Sequence, residues 1–199
     1  MTRTLETRAA RIERTTKETT VVVEVDLDGS GTADISTGIG MFDHLLTSFA
    51  HNSLIDLFVS TDGDLEVDDH HTVEDTMLVL GSAIDEALGD RAGITRYADA
   101  TIPMDEALAT VAIDVGGRAY AVLDLPFRSD RIGALSTQMI EHSLEAFSRN
   151  LRATIHVTAA GRNDHHIAEA TFKALARALR VAIEIDPRRD GVPSTKGSL

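Results

Sequence analysis

The chain has 199 residues, 43% of them hydrophobic, enough for one domain or two closely packed halves with a real core. Its 20 Asp and 12 Glu stand against 16 Arg and three Lys, a formal charge of −13. This argues against a nucleic-acid partner and suggests either adaptation to high salt, where self-repulsion is screened, or an ordinary acidic soluble protein.

The chain has no Cys, which excludes disulfides and thiolate metal sites. No apolar run approaches a membrane span, and Glu6, Glu13 and Glu18 interrupt the N-terminus with no apolar signal core after them. A cytoplasmic protein is the default.

In chain order, Val21, Val23, Val25 and Leu27 alternate along TTVVVEVDLDGSGTADIST (19–37) and predict a hairpin turning at DGSG. GMFDHLLTSFAHNS (40–53) predicts a helix, with Met41, Leu45 and Ser48 on one stripe and His44 close to it. LIDLFVSTDGDLEVD returns as strand or hairpin. Helical periodicity then runs over 70–90 and ends at Gly89. The second half replays this order: a hairpin over 107–127 turning at Gly116–Gly117, a helix over 136–150 capped by Ser136, a strand over 151–161 and a long helix over 165–184. The closing IDPRRDGVPSTKGSL predicts irregular chain.

The pattern is strand–strand–helix–strand–helix written twice. MFDHLLTSFA (41–50) lies over MIEHSLEAFS (139–148) at an offset of 98, matching Met41 with Met139, His44 with His142 and Phe49 with Phe147. DDHHTVEDT (68–76) and NDHHIAEAT (163–171) match at an offset of 95. A period near 100 is too long for a solenoid, so duplication of a half-domain fits better. The halves are placed at 1–92 and 93–185, with 186–199 as a tail on one compact unit.

Six of the eight histidines fall at matching places: His44, His70 and His71, then His142, His165 and His166. Each half adds one Glu four residues after the first His of its pair, Glu74 and Glu169. On a helix His70 and Glu74 share a face, whereas adjacent histidines diverge by about 100°. One pair therefore points at two places, which asks for two metal ions, or one shared with another part of an assembly. Six imidazoles and two carboxylates divide into two sets of three His and one Glu, leaving octahedral positions open for water and substrate. Nitrogen and oxygen donors without sulfur suit Mn, Fe, Co or Zn rather than Ca or Mg.

A lone His pair at a helix start is ordinarily a cap or solvent-exposed. Two matching pairs, each with Glu at the same offset and a matching upstream His, point to metal ligation. His51 and His156 have no counterparts and read as ordinary. Asp68, Asp69, Asp75 and Asp164 could orient imidazoles, but Asp69 and Asp164 directly precede helices and read rather as N-caps.

These residues carry a resemblance. GDLEVDDHHTVEDT, NDHHIAEATFKALARAL and the closing PSTKG resemble the imidazoleglycerol-phosphate dehydratase family, and the likeness runs on through DGSGTADISTGIGMFDHLL, GITRYADATIPMDEAL, DVGGRAY and DPRRDGVPSTKG. The resemblance implies an α+β fold of two similar halves, each a four-stranded sheet with two helices on one face, of the ribosomal protein S5 domain 2-like kind. It implies a hydro-lyase of histidine biosynthesis that turns imidazole glycerol phosphate into imidazole acetol phosphate, through a dimetal-bound imidazolate and a diazafulvene-like intermediate. It implies two Mn2+ per active site, and a homo-oligomer of 24 subunits built from trimers, with sites between neighbouring chains. Residue by residue, Glu18 in TKET matches a substrate-contacting glutamate suited to acid/base work, with Glu74 and Glu169 as the further catalytic carboxylates. Arg96 in ITRY and Arg118 in GGRAY match phosphate-binding arginines, and Ser194 and Lys196 in PSTKG match the phosphate loop.

One stretch departs from the family pattern. Where the family commonly has DHMLDQLAxHG, this chain has DHLLTSFAHNS, so Ser48 stands for Gln and Asn52 for His. Other readings of the same residues are a two-metal phosphoester hydrolase and a non-enzymatic metal-binding protein.

Overall fold

A computed structural model describes residues 7–197 and 199; the part of the N-terminal reading that rests on Glu6 lies outside the described residues. The first half comprises β1 (Ala9–Thr15), β2 (Thr19–Asp26), β3 (Ala33–Ser36), α1 (Gly40–Ser53), β4 (Asp56–Gly63) and α2 (His70–Leu88). The second comprises β5 (Tyr97–Met104), β6 (Ala107–Asp114), β7 (Tyr120–Asp124), the short β8 (Arg131–Ile132) and β9 (Leu135–Ser136), α3 (Thr137–Leu151), β10 (Thr154–Ala160) and α4 (Asp164–Ala182). Four strands form each main sheet, in the orders β1-β2-β4-β3 and β5-β6-β10-β7.

The expected hairpins over 19–37 and 107–127 do not form. β4 lies between β2 and β3, pairing antiparallel with the first and parallel with the second, and β10 separates β6 from β7 in the same way. DGSG is thus a crossover loop: the Asp56 carboxylate accepts the Ser30 and Thr32 amides and ties it to the start of β4. The hairpin partners of β2 and β6 are instead β1 and β5, strands that the residue pattern did not single out. In β1 the sequence AARIERT places Arg11 and Glu13 on the outer side, which masks a short apolar alternation.

The alternation in β2 has the expected sense: Val21, Val23, Val25 and Leu27 are buried. They face α2, which lies on β1 and β2, just as α4 lies on β5 and β6. Across the middle, α2 packs on α3 and α1 on α4, so four helices lie between two sheets. A helix enclosed this way is apolar nearly all round, which explains the long buried roll of α2 from Thr72 to Leu88. The α2–α3 crossing is close because Gly81 has no side chain. A methyl there would lie 2.8 Å from the Phe147 carbonyl oxygen and 2.9 Å from the Leu151 amide nitrogen. In α1 the buried stripe is Phe42, Leu45, Leu46, Phe49 and Ala50; Met41 and Ser48 sit on its half-buried rim rather than in it. No helix among the described residues is long and apolar enough to cross a membrane.

Hydrogen bonds bring the starts of α2, α3 and α4 together at one end. The Asp69 carboxylate, ahead of α2, accepts the Ser136 amide and hydroxyl ahead of α3. Asp164 in α4 accepts the Arg128 and Ser129 amides, and Thr137 in α3 donates to the Ser129 carbonyl. Asp69 and Asp164 therefore neither cap their own helices nor orient imidazoles; each bonds a distant segment. The side chain that does cap α4 is Asn163, which accepts the His165 amide. Ser136 occupies the N-cap position of α3 without a capping bond, and its hydroxyl donates to Asp69.

Candidate active site

At this shared end two groups of metal-ligating side chains form, each drawn from both halves. α4 supplies His165 and Glu169 one turn apart, and α1 supplies His44. The His44 and His165 Nε2 atoms lie 3.3 Å and 3.2 Å from Glu169 Oε2, with their rings stacked at 5.6 Å. α2 supplies His70 and Glu74, and α3 supplies His142; Glu74 lies 3.6 Å from His70 Nε2 and 3.1 Å from His142 Nε2. Within each group one donor atom per residue lies within 4.8 Å of the others.

The donor chemistry fits a divalent cation. Two imidazole nitrogens and a carboxylate oxygen converge in each group, and buried His142 Nε2, although 3.1 Å from Glu74, makes no well-directed hydrogen bond among the described residues, the condition of a ligand aimed at an ion. The groups are not equivalent. Lys173 holds the other Glu169 oxygen at 2.7 Å, whereas the residue one turn after Glu74 is Leu78. Burial pushes the Glu169 carboxyl up, but Lys173 and then His44 outweigh it and hold it below its ordinary value.

His71 and His166 join neither group. The His70 and His71 rings lie at 80° and the His165 and His166 rings at 82°, so adjacent histidines diverge as helical geometry requires. Sets of three His and one Glu therefore do not form within one chain. His71 Nδ1 meets both Asp64 oxygens at 3.1 Å, and its Nε2 lies 3.8 Å from Glu18, an exposed residue of the β1–β2 turn. His166 Nδ1 meets Glu106 at 2.8 Å. Asp64 raises the His71 pKa above its ordinary value. Glu106 is held down to about 2, first by His166 and then by backbone amides including that of Arg162. Neither carboxylate belongs to the DHHxxE repeat, which is why sequence inspection missed both. His51 and His156 are exposed and belong to no metal-ligating group among the described residues.

Arg96, Arg118, Ser194 and Lys196 meet at a different place: all four line one cavity of about 480 Å³. Its lining holds three cationic side chains and no Asp or Glu side chain, a basic pocket on an acidic chain. Arg96 is not a free phosphate fork, however. Its Nε and Nη2 bond Asp114 at 2.7 and 3.1 Å, and its Nη1 donates to the Pro193 carbonyl at 2.8 Å. Buried, and held at a φ of 77°, it fastens the irregular tail against β6. Arg118 and Lys196 have no carboxylate within ion-pair distance among the described residues. Ser48 and Asn52 do not line this cavity; the Asn52 side chain donates to the Ser48 carbonyl within α1.

Two rulers measure how far this pocket lies from the metal groups. The Arg96 amide bonds Ala182 at the end of α4, 17 residues after His165, or about 25 Å along the helix. β6 runs from Ala107, next to Glu106, to Asp114, or about 23 Å. The rulers agree: one chain keeps its metal groups and its cationic pocket at opposite ends.

Comparison with known proteins accords with these features. The family model described as imidazoleglycerol-phosphate dehydratase matches residues 37–179. The imidazoleglycerol-phosphate dehydratase of Granulibacter bethesdensis is 52% identical over 97% of this chain and all of its own length. That of Methanosarcina mazei is 53% identical over 96% of this chain and all of its own. The crystal structure of the Staphylococcus aureus enzyme superposes with a TM-score of 0.81 at 33% identity, covering 89% of this chain and 99% of that one. A Pyrococcus furiosus structure, in complex with (S)-C348, gives 0.78 at 37% identity, covering 94% and 100%. Identity at this level over nearly the whole length, on a fold of the same architecture, places the chain in the imidazoleglycerol-phosphate dehydratase family, the lyases that carry out this dehydration in histidine biosynthesis.

Proposed function

We propose that this cytoplasmic enzyme dehydrates imidazole glycerol phosphate to imidazole acetol phosphate at centres holding two divalent ions, Mn2+ in the first instance, completed between subunits of a 24-chain particle built from trimers. His44, His165 and Glu169 would hold one ion, and His70, His142 and Glu74 the other; the nitrogen and oxygen donor set suits Mn, Fe, Co or Zn, and the family resemblance selects Mn among them. Bound there, divalent ions would supply Lewis acidity toward the imidazole of the substrate.

The rest of the work falls to the chain's own residues. The proton to be removed sits on a carbon with no neighbouring carbonyl and is not acidic, so its base must be placed against it. Glu18 is that base: it is exposed, and it stands 3.8 Å from His71 Nε2 at the metal end of the molecule. Arg118, Lys196 and Ser194 bind the phosphate as a handle, and Arg96 keeps the tail that carries two of them in place.

The observation that carries the assembly reading is the distance of about 25 Å along α4. A substrate with three carbons between ring and phosphate spans only about 10 Å. It cannot touch the metal groups and the phosphate pocket of the same chain, so the pocket must come from a neighbour. His71 and His166, left out of both groups, supply a third imidazole to centres elsewhere in the particle.

Incubating the pure protein with imidazole glycerol phosphate tests the reaction. A ketone product with no free phosphate supports the lyase. Released phosphate would support a two-metal hydrolase instead, and no turnover a metal-binding protein without activity.

A further inference from the structure

The two halves differ where they hold their outward histidines. β2 and β6 occupy equivalent places, each between its hairpin partner and the strand ahead of the long helix. Glu18 immediately precedes β2, and Glu106 immediately precedes β6. By position the two glutamates are twins, yet their surroundings differ.

In the second half Glu106 does two jobs. One oxygen accepts the Arg162 and Asn163 amides at 3.0 and 2.7 Å, and the other meets His166 Nδ1. In the first half the link from β4 to α2 has six residues, against three between β10 and α4. The longer link brings in Asp64, which takes His71 Nδ1 with both oxygens while its own amide donates to the Glu18 carbonyl at 3.1 Å. The Glu18 side chain is thereby left half-exposed on the Nε2 side of the ring.

We propose that Asp64 and Glu106 are positioning residues: each takes the Nδ1 proton of its histidine and fixes Nε2 as the nitrogen offered to a metal centre. The extra loop residues relieve Glu18 of the task that its twin performs, freeing that carboxylate for the substrate. A carboxylate behind an imidazole fixes tautomer and ring orientation and strengthens the other nitrogen as a donor. The inference rests on the metal-centre reading above.

Mn2+ titration of the full-length protein, by calorimetry with a competing chelator, tests it in D64A, E106Q and E18Q. E106Q keeps an acceptor for the Arg162 and Asn163 amides, so it removes the charge behind His166 without undoing the loop. D64A and E106Q should each weaken Mn2+ binding by about tenfold or more, while E18Q binds as wild type and all three melt normally when metal-free. Binding by D64A and E106Q within about twofold of wild type would overturn the proposal, and so would a loss matched by an equal fall in metal-free melting. If wild type itself binds no Mn2+, the metal-centre reading fails instead.

Discussion

Separation of the metal end from the phosphate end makes subunit mixing informative. E18Q removes the proposed base but no metal ligand, and R118A/K196A removes the two unpaired cations of the pocket. Each variant alone should be nearly inactive. If the pocket comes from a neighbouring chain as proposed, every site in a mixed particle draws Glu18 from one chain and its pocket from another, because about 25 Å of helix separates the metal end from the pocket end within a chain and the substrate spans about 10 Å. With equal amounts randomly assembled, both contributions are intact in about one site in four, so the mixture should recover roughly a quarter of wild-type activity. Chelation, mixing and return of Mn2+ prepares the hybrids, native mass spectrometry verifies that both variants share particles, and ketone formation is the assay. Verified hybrids that stay as inactive as either parent would refute the reasoning, since they would mean that base and pocket act from the same chain.

Other consequences concern stability and affinity. G81A places a methyl against the backbone of α3, so despite the better helix propensity of Ala it should destabilise the fold by about 1–3 kcal/mol, lowering Tm by about 2–4 °C per kcal/mol; a melt at or above wild type would contradict the close α2–α3 crossing. R96K keeps a charge beside Asp114 but cannot also reach Pro193 in the same fork, so KM should rise about tenfold with kcat retained, checked by steady-state kinetics.

The sequence made the helices and the candidate ligand motif legible because both follow local spacing. DHHxxE repeats at fixed intervals on helices that begin where the motif does, and divergence of adjacent histidines follows from helical rotation alone. Strand order was not legible in the same way. β3 and β7 lie beyond β4 and β10, and no local turn signal records that a later strand will enter between two earlier ones. The charges on β1 hid a strand that only its pairing with β2 defines. Asp69 and Asp164 looked like caps from their positions, yet they bond segments 67 and 36 residues away. Glu106 lies 60 residues from the histidine it holds; aligning the strand that follows Glu18 with the strand that follows Glu106 would have found it. Arg96 was found as part of the pocket, but only the structure gives it Asp114 and Pro193 as partners.

Metal content, counted per chain on protein purified without added metal, tests the central claim most directly. Two groups of two His and one Glu in every subunit predict close to two divalent ions per chain, with chelation abolishing activity, breaking the large particle into smaller units, and Mn2+ restoring both. A content near zero, with no activity gained on adding Mn2+ and a particle unchanged by complete chelation, would contradict it.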